Sequence, residues 1–378
     1  MRIAFAAIPA HGHLYPLMPL ALACRDAGHQ VVVAVGWPFA DRLPLPTFDP
    51  FDRPFSLSEV ERLTKERHPA AEGIEIALAH FGDTTPYLML PGLLSGLPDF
   101  RPDLVIYDSA NTAAGIAAEL LDVPAAAFGV GRWAPFGAMI HDATRRFRRS
   151  EWTDRGRQPS TGPLLAAALL DPLPAPWCGD PEPYRIPIRT VGWSQHPGGP
   201  PEWLTLAASH PRVYVTLGTV SFGATEALRR ALIETAAQGA EVLVAVGERG
   251  DPAALGELPA AVHVEKFVAQ HAILPLVDLA VHHGGTGTLL GCLAAGIPQV
   301  LMPQGADQFM NAGEMTAMGV ARVVGNDEPD GAMGAAVGAL LGDSPERTAA
   351  AGVAAQIAAT PAPAEVLPLL TELAAARI

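Results

Sequence analysis

The feature that most narrows the fold is an alternation of strand-length apolar runs with helix-period stretches. It begins at the N-terminus and starts afresh past mid-chain. Residues 2–7 form a short apolar run, and 30–35 a β-branched one. Between them lie a loop holding Pro9 and the histidines of His11-Gly12-His13, then a helix expected over about 16–27. Pro16 suits its first turn and Gly28 its C-terminal cap. A strand–helix–strand unit with so short a crossover imposes parallel pairing. Further strands are expected at 104–107, ending at Asp108, and at 124–128, with helices at 74–94 and 112–121. Residues 37–69, rich in Pro and Phe with little periodicity, read as a long loop region over the mouth of the sheet. Residues 131–170 read as aromatic, basic and apolar helical stretches suited to lining an apolar pocket.

Between Asp171 and Ile188 stand six prolines, Pro172, Pro174, Pro176, Pro181, Pro183 and Pro187. Such a segment favours extended backbone and marks the interdomain boundary. After it, strands are expected at 212–217, 241–246, 262–267, 279–282, 299–302 and 321–324. Helices are expected at 225–237, 286–295, 308–318 and 331–341, with tail helices near 345–358 and 364–376. At roughly 100–200 residues per domain, 378 residues make two. We therefore expect two doubly wound α/β domains, 1–180 and 188–360, with a C-terminal helix at about 363–378 packing back on the first. Ligands in such sheets sit outside the carboxyl ends of the strands, so two of them face to face make one deep cleft.

The charge balance, 25 basic against 39 acidic residues and a net of −14, excludes a nucleic-acid partner, which needs a basic surface. The cluster Arg145-Arg146-Phe147-Arg148-Arg149 reads as a solvated helix face or mobile loop. Apolar runs such as 164–170 fall well short of the ~20 residues that span a bilayer. The N-terminus enters a strand at once, without the pattern of a secretion signal, so a cytoplasmic protein without membrane insertion is expected. Cys24, Cys178 and Cys292 are far apart and read as small apolar fillers.

In the second half, a strand ending at His282 runs into His283-Gly284-Gly285-Thr286-Gly287-Thr288 and then a helix. Strand, glycine turn and helix form a phosphate-binding layout. The glycines let the backbone approach an anion, and the helix N-terminus presents free N–H groups and its positive dipole end. Thr286 and Thr288 can add hydroxyl donors, and His283 a charge-assisted bond. A plain tight connection is the other reading of the same residues. Neither a P-loop nor the GxGxxG pattern is present. Downstream, Asp307 and Gln308 offer donors and acceptors suited to sugar hydroxyls. Asp307 is also well placed to cap the 308–318 helix.

The stretch from Phe267 to Gln308 resembles the donor-binding box of glycosyltransferase family 1. This large inverting family includes plant secondary-metabolite and bacterial antibiotic transferases. Phe267-Val268-Ala269-Gln270 is similar to the box's opening Trp-x-x-Gln element, His283 to its diphosphate histidine, and Asp307-Gln308 to its closing Asp-Gln pair at the same spacing. The runs at 282–288 and 305–312 resemble those of actinobacterial natural-product members, and the likeness extends over nearly the whole chain. The resemblance implies the GT-B fold, two Rossmann-like domains facing across a cleft. Phe267 would flank a pyrimidine base, Val268 would bind it through the backbone, and Gln270 belongs to the same element. His283, Gly285 and Thr288, with Gly284, Thr286 and Gly287 of the same turn, would hold the diphosphate. Leu217-Gly218-Thr219 resembles the family's other diphosphate contact, and Asp307 and Gln308 would face the sugar. Plant members carry an acidic residue eight positions after the histidine to bind ribose. Gly291 stands there, which favours a dTDP-sugar while leaving a UDP-sugar open.

Transfer to an alcohol needs a base, and histidine suits the task. His11 and His13 both follow the first strand. His13-Leu14-Tyr15-Pro16 resembles the family's His-x-x-Pro element, so His13 is assigned as base and His11 as structural or pocket-lining. Asp108, at the end of its strand, reads by itself as a helix N-cap. By resemblance it is the carboxylate that orients His13. These readings imply inverting, metal-independent transfer of a sugar, with a deoxysugar favoured, to a hydroxyl of a small natural-product aglycone. No cofactor is expected beyond the nucleotide-sugar co-substrate, in a monomer or homodimer. Three alternatives are weighed against this: a metal hydrolase opened by His11-x-His13, a nucleotide-sugar epimerase of the same architecture, and a silent partner of another transferase. The hydrolase lacks further ligands in consistent places, Phe-rich 39–55 and aromatic 133–136 favour a separate acceptor pocket, and His13 with Asp108 favours catalysis.

Overall fold

The computed structural model describes every residue except 179–181, 197, 219–224, 248–249, 306 and 377–378. Contacts divide the chain into two units, Met1–Arg189 with Thr360–Ile378, and Thr190–Ala359.

The first unit is built on an all-parallel seven-stranded sheet. Its strands are β1 (Arg2–Ala6), β2 (Gln30–Ala34), β3 (Thr47–Phe48), β4 (Leu104–Asp108), β5 (Ala125–Phe128), β6 (Ala168–Asp171) and β7 (Arg185–Pro187). Their order is β3-β2-β1-β4-β5-β6-β7. Central strands such as β4 are buried at every position, because helices cover both faces. Small residues let those helices approach. A Cβ at Gly115, in the alanine-rich helix Thr112–Leu120, would stand 2.7 Å from the Leu165 Cβ and 2.8 Å from the Tyr107 hydroxyl.

The second unit carries β8 (Arg212–Thr216), β9 (Glu241–Ala245), β10 (Val262–Glu265), β11 (Leu279–His282), β12 (Gln299–Leu301) and β13 (Ala321–Val323), all parallel, in the order β10-β9-β8-β11-β12-β13. The helix Pro345–Ala359 packs on the helix Thr286–Ala295. The chain then returns to the first unit. The Arg189 N–H donates to the Pro361 carbonyl at 2.7 Å, and the helix Leu367–Ala375 packs near β4.

Several expectations need correction. The first helix begins at His11, not Pro16. Helix His11–Leu14 and a 3₁₀ turn, Tyr15–Leu17, precede Met18–Asp26, and Pro16 sits inside this tightened stretch rather than starting it. The histidines thus ride on a helix rather than a loop. Residues 37–69 are not all loop. Thr47–Phe48 pairs with β2, and Leu57–Arg67 is a helix whose N-cap, Ser56, accepts the Glu59 N–H. That Ser-x-x-Glu spacing was a readable start signal. The apolar run 164–170 ends in β6, and the proline-rich stretch holds β7, whose residues pair with Leu169–Asp171.

Candidate active site

In a doubly wound sheet the loops diverge where the strand order reverses, and a crevice opens there. In the first unit that point lies between β1 and β4, which are paired in register Ala6↔Tyr107. His13 follows β1 and Asp108 closes β4, so adjacent strands deliver both to one place. Asp108 is fully buried. Its Oδ2 accepts the Ile8 N–H at 2.8 Å, and its Oδ1 accepts the Ala110 N–H at 3.1 Å. His13 Nδ1 lies 3.0 Å from the same Oδ1. A carboxylate only accepts, so Nδ1 carries the hydrogen and Nε2 is left as the basic nitrogen. The His13 side chain keeps 21% of its surface exposed. Asp108 makes no N-cap for the helix Thr112–Leu120, whose N-cap is Asn111. His11 packs against Tyr15 and Phe39, with ring centroids 4.9 and 5.0 Å away.

A further histidine, not singled out from sequence, braces this loop. His141 is fully buried. It donates from Nε2 to the Ser109 carbonyl at 2.9 Å and accepts the Leu165 N–H at Nδ1, also at 2.9 Å. Burial pushes it down to about 4. No periodicity marks such a residue, since its partners come from distant segments.

In the second unit the strand order reverses between β8 and β11. The glycine turn follows β11, and Gly218 lies just beyond β8. His282, the last residue of β11, is buried and spends both ring nitrogens on the turn's framework. Nδ1 accepts the Gly284 N–H at 3.1 Å, and Nε2–H donates to Gln299 Oε1 at 2.8 Å. Burial, with the neighbouring His283, pushes it down to about 3. Gly284 adopts φ +90°, open only to glycine at low cost. Gly285 is the N-cap of Thr286–Ala295 and no side chain caps it, so the helix's first N–H groups remain free for an anion.

The His283 ring fits between two glycines. A Cβ at Gly218 would stand 2.6 Å from its Cε1, and one at Gly285 would meet Nε2 closer still. Burial pushes His283 down to about 4, and the Asp307 carboxylate and a hydrogen bond to the Thr216 backbone pull it only partly back. Its Nδ1 is buried without a partner among the described residues. The imidazole is therefore neutral at neutral pH.

The threonine hydroxyls are engaged within the unit. Thr286 Oγ1 donates to Asp307 Oδ2 at 3.2 Å, and Thr288 Oγ1 bonds Gln270 Nε2 at 3.2 Å. Gln270 Nε2 also donates to the Tyr214 hydroxyl at 3.2 Å. Asp307 caps nothing with its side chain. Its Oδ2 instead also accepts Asn311 Nδ2 at 3.0 Å, and Asn311 reaches the Gly284 carbonyl at 3.0 Å. Asn311, buried and four residues after Asp307, is the stitch between glycine turn and Asp-Gln pair. Its i,i+4 spacing was the available signal. Gln308 Oε1 accepts the N–H groups of Gln304 and Gly305 at 2.7 and 3.2 Å, so its oxygen shapes the preceding loop.

Phe267 follows β10 and packs on His196, centroids 4.1 Å apart, while Val268 is buried. A Cβ at Gly291 would stand 2.8 Å from Leu274 Cδ1, the far end of a flexible side chain. Thr219 lies outside the described residues. Among the described residues no group of three or more His, Cys, Asp or Glu is placed to hold a metal ion, and no helix is long and apolar enough to cross a membrane.

Two parallel α/β units of this kind are those of the GT-B glycosyltransferases. SsfS6 from Streptomyces sp. SF2575, a glycosyltransferase solved with thymidine diphosphate, superimposes with a TM-score of 0.82 at 27% identity, over 98% of this chain and 99% of that one. Sequence comparison narrows the class. Residues 229–373 match the model of the erythromycin biosynthesis protein CIII-like C-terminal domain. An L-demethylnoviosyl transferase of Streptomyces niveus is 30% identical, over 97% of this chain and 96% of its own. A 3-alpha-mycarosylerythronolide B desosaminyl transferase of Saccharopolyspora erythraea is 27% identical, over 100% and 99%. The chain belongs to the natural-product glycosyltransferases of family 1, and it is a glycosyltransferase enzyme.

Proposed function

We propose that the chain transfers a sugar, a deoxysugar by preference, from a thymidine diphosphate donor to a hydroxyl of an apolar natural-product aglycone, with inversion at the anomeric carbon. The observation that carries this reading is the buried Asp108 bonded to His13 Nδ1 at 3.0 Å, which leaves Nε2 to take a proton. The acceptor oxygen attacks the anomeric carbon as its proton passes to Nε2, and the bond from that carbon to the diphosphate oxygen breaks. A single displacement inverts the configuration. Asp108 stabilises the imidazolium that forms. The leaving diphosphate meets the free N–H groups at Thr286–Ala295 and the His283 ring. Asp307, one oxygen committed to Thr286 and Asn311, turns the other to the sugar. Phe267 and Val268 take the base.

Thymidine is favoured over uridine on two grounds. SsfS6 was solved with thymidine diphosphate. In this chain Gly291 supplies no side chain at the position where a ribose-binding carboxylate would have to stand. The donor charge is met by a helix dipole and an imidazole, so transfer proceeds without a divalent metal and survives a strong chelator.

The test is His13→Ala in a transfer assay, beside thermal shifts with dTDP and UDP. The variant should lose at least about 10²-fold in turnover, the usual worth of a general base, while its dTDP shift persists. Near wild-type transfer to a hydroxyl acceptor removes His13 from the mechanism. A shift with neither nucleotide removes the donor assignment.

A further inference from the structure

The helical stretch before β4 is interrupted by one π-helical turn, His80–Thr84, between Ile74–Ala79 and Thr85–Phe100. Such a turn adds a residue to the ladder and re-aims the side chains around it. One face of the turn is anchored. Asp83 accepts two bonds from Arg67 at 2.9 Å each and one from Arg148 at 3.4 Å, and it pairs with His68 at 2.7 Å. Thr84 Oγ1 bonds Thr64 Oγ1 at 3.0 Å, and the Phe81 carbonyl accepts the Thr112 hydroxyl at 3.1 Å.

The residues left over are His80 and Phe81. The Phe81 ring centroid lies 4.6 Å from that of His80 and 6.1 Å from that of His13. Phe81 also packs at the edge of an apolar cluster of Leu78, Ile140 and Ala143, beside Phe136. His80 is half-buried, and its ring nitrogens have no hydrogen-bond partner among the described residues. Burial, and then the neighbouring His13, push it down to about 4. At neutral pH it is therefore a neutral ring with one donor and one acceptor nitrogen, and too weak a base to take the acceptor's proton.

Resting on the reading of His13 as base, we propose that His80 contacts the acceptor. It hydrogen-bonds a second oxygen close to the attacking hydroxyl while Phe81 packs on the acceptor's ring. The enzyme would then select apolar ring acceptors with oxygen functions side by side. The anchored turn makes this a fixed contact, since Asp83 and Thr84 hold the backbone that carries it.

The experiment measures transfer from dTDP-glucose to 2-naphthol and to 2,3-dihydroxynaphthalene, which differ only in the second oxygen. The expected wild-type preference for the diol is about tenfold in kcat/KM, equivalent to about 1.4 kcal/mol. His80→Phe keeps the ring volume and should erase that preference through the acceptor KM, leaving the KM for dTDP-glucose unchanged. His80→Gln, which keeps a donor and an acceptor, should restore part of it. Equal preference in wild type and His80→Phe overturns the proposal, as does a loss shared by both naphthols or by the donor KM. Wild-type transfer to neither probe also counts against it, while a thermal shift with dTDP would still support the donor site. If His13→Ala retains transfer, it is the function reading that fails.

Discussion

Asp108→Asn separates the two things the carboxylate does. The fully buried group receives three hydrogens, from Ile8 N at 2.8 Å, Ala110 N at 3.1 Å and His13 Nδ1 at 3.0 Å. An amide has one oxygen to receive them. If its nitrogen takes the place of Oδ1, it faces the Ala110 N–H and forces His13 to bond through a bare Nδ1. The ring proton then sits on Nε2, where the acceptor's proton should go. If it takes the place of Oδ2, the Ile8 N–H is stranded. Either orientation leaves one buried backbone donor unpaired, a cost of about 1–3 kcal/mol. The first misplaces the ring proton, and there the loss approaches the roughly 10⁴-fold that this tautomer error costs in serine-protease triads; the second keeps the tautomer but removes the charge that stabilises the imidazolium. We therefore expect turnover to fall about 10²- to 10⁴-fold, with dTDP affinity unchanged because the donor residues lie in the other unit. The assay is kcat under saturating donor and acceptor, with a urea melt beside it. A folded variant within tenfold of wild-type kcat refutes the argument that the Asp108 carboxylate supports His13 as base.

The donor site offers two more tests. Gly285→Ala keeps an ordinary φ of −67° but drives its Cβ into the His283 ring, so dTDP affinity should fall by about tenfold or more with little change in Tm. Unchanged affinity by titration calorimetry would show that the ring's position is immaterial. His283 is neutral when the site is empty, down at about 4, and an arriving diphosphate raises it. Binding therefore takes up a proton, and dTDP should bind more tightly from pH 8 towards pH 6, a trend flattened in His283→Asn; equal slopes in both proteins would exclude His283. Asn111 is fully buried, with neither side-chain polar atom partnered among the described residues. Asn111→Leu should raise stability by about 1–2 kcal/mol in a urea melt, whereas destabilisation would reveal a bound partner for the amide.

The sequence was most legible where function needs contiguous residues. The turn 282–288 announces itself because glycines, a strand end and a helix start must be adjacent. The pair Asp307-Gln308 stands out by its spacing, whereas the hydrogen bonds of Thr286 and Thr288 to Asp307 and Gln270 leave no local sequence signal. The dyad was harder. His13 and Asp108 are 95 residues apart and meet only because β1 and β4 are neighbours, a pairing that local pattern does not specify. Short edge strands hid for a different reason. β3 is two residues and β7 three, ending in a proline, too short for a period to show. The π turn at His80 is invisible to a helical pattern, because one added residue only rephases it.

His141 and His282 play one part in the two units, and that part fixes how acid harms the protein. Each is fully buried and each uses both ring nitrogens to hold backbone or side chain next to a strand at the sheet's reversal point. A neutral ring can serve one donor and one acceptor at once, and protonation destroys the acceptor. In the folded protein their values lie at about 4 and about 3, against 6.5 for a free histidine. Below pH 6.5 the unfolded chain therefore binds protons that the native state refuses, and stability falls as pH falls. At pH 5 each residue costs roughly 2 kcal/mol, and both are too deeply buried for solvent to screen the effect. Urea midpoints should drop steeply between pH 7 and pH 5, and activity lost at pH 5 should track unfolding. A midpoint that is flat over this range would mean that the two rings are not held neutral, and that the loops behind Asp108 and His283 are braced some other way.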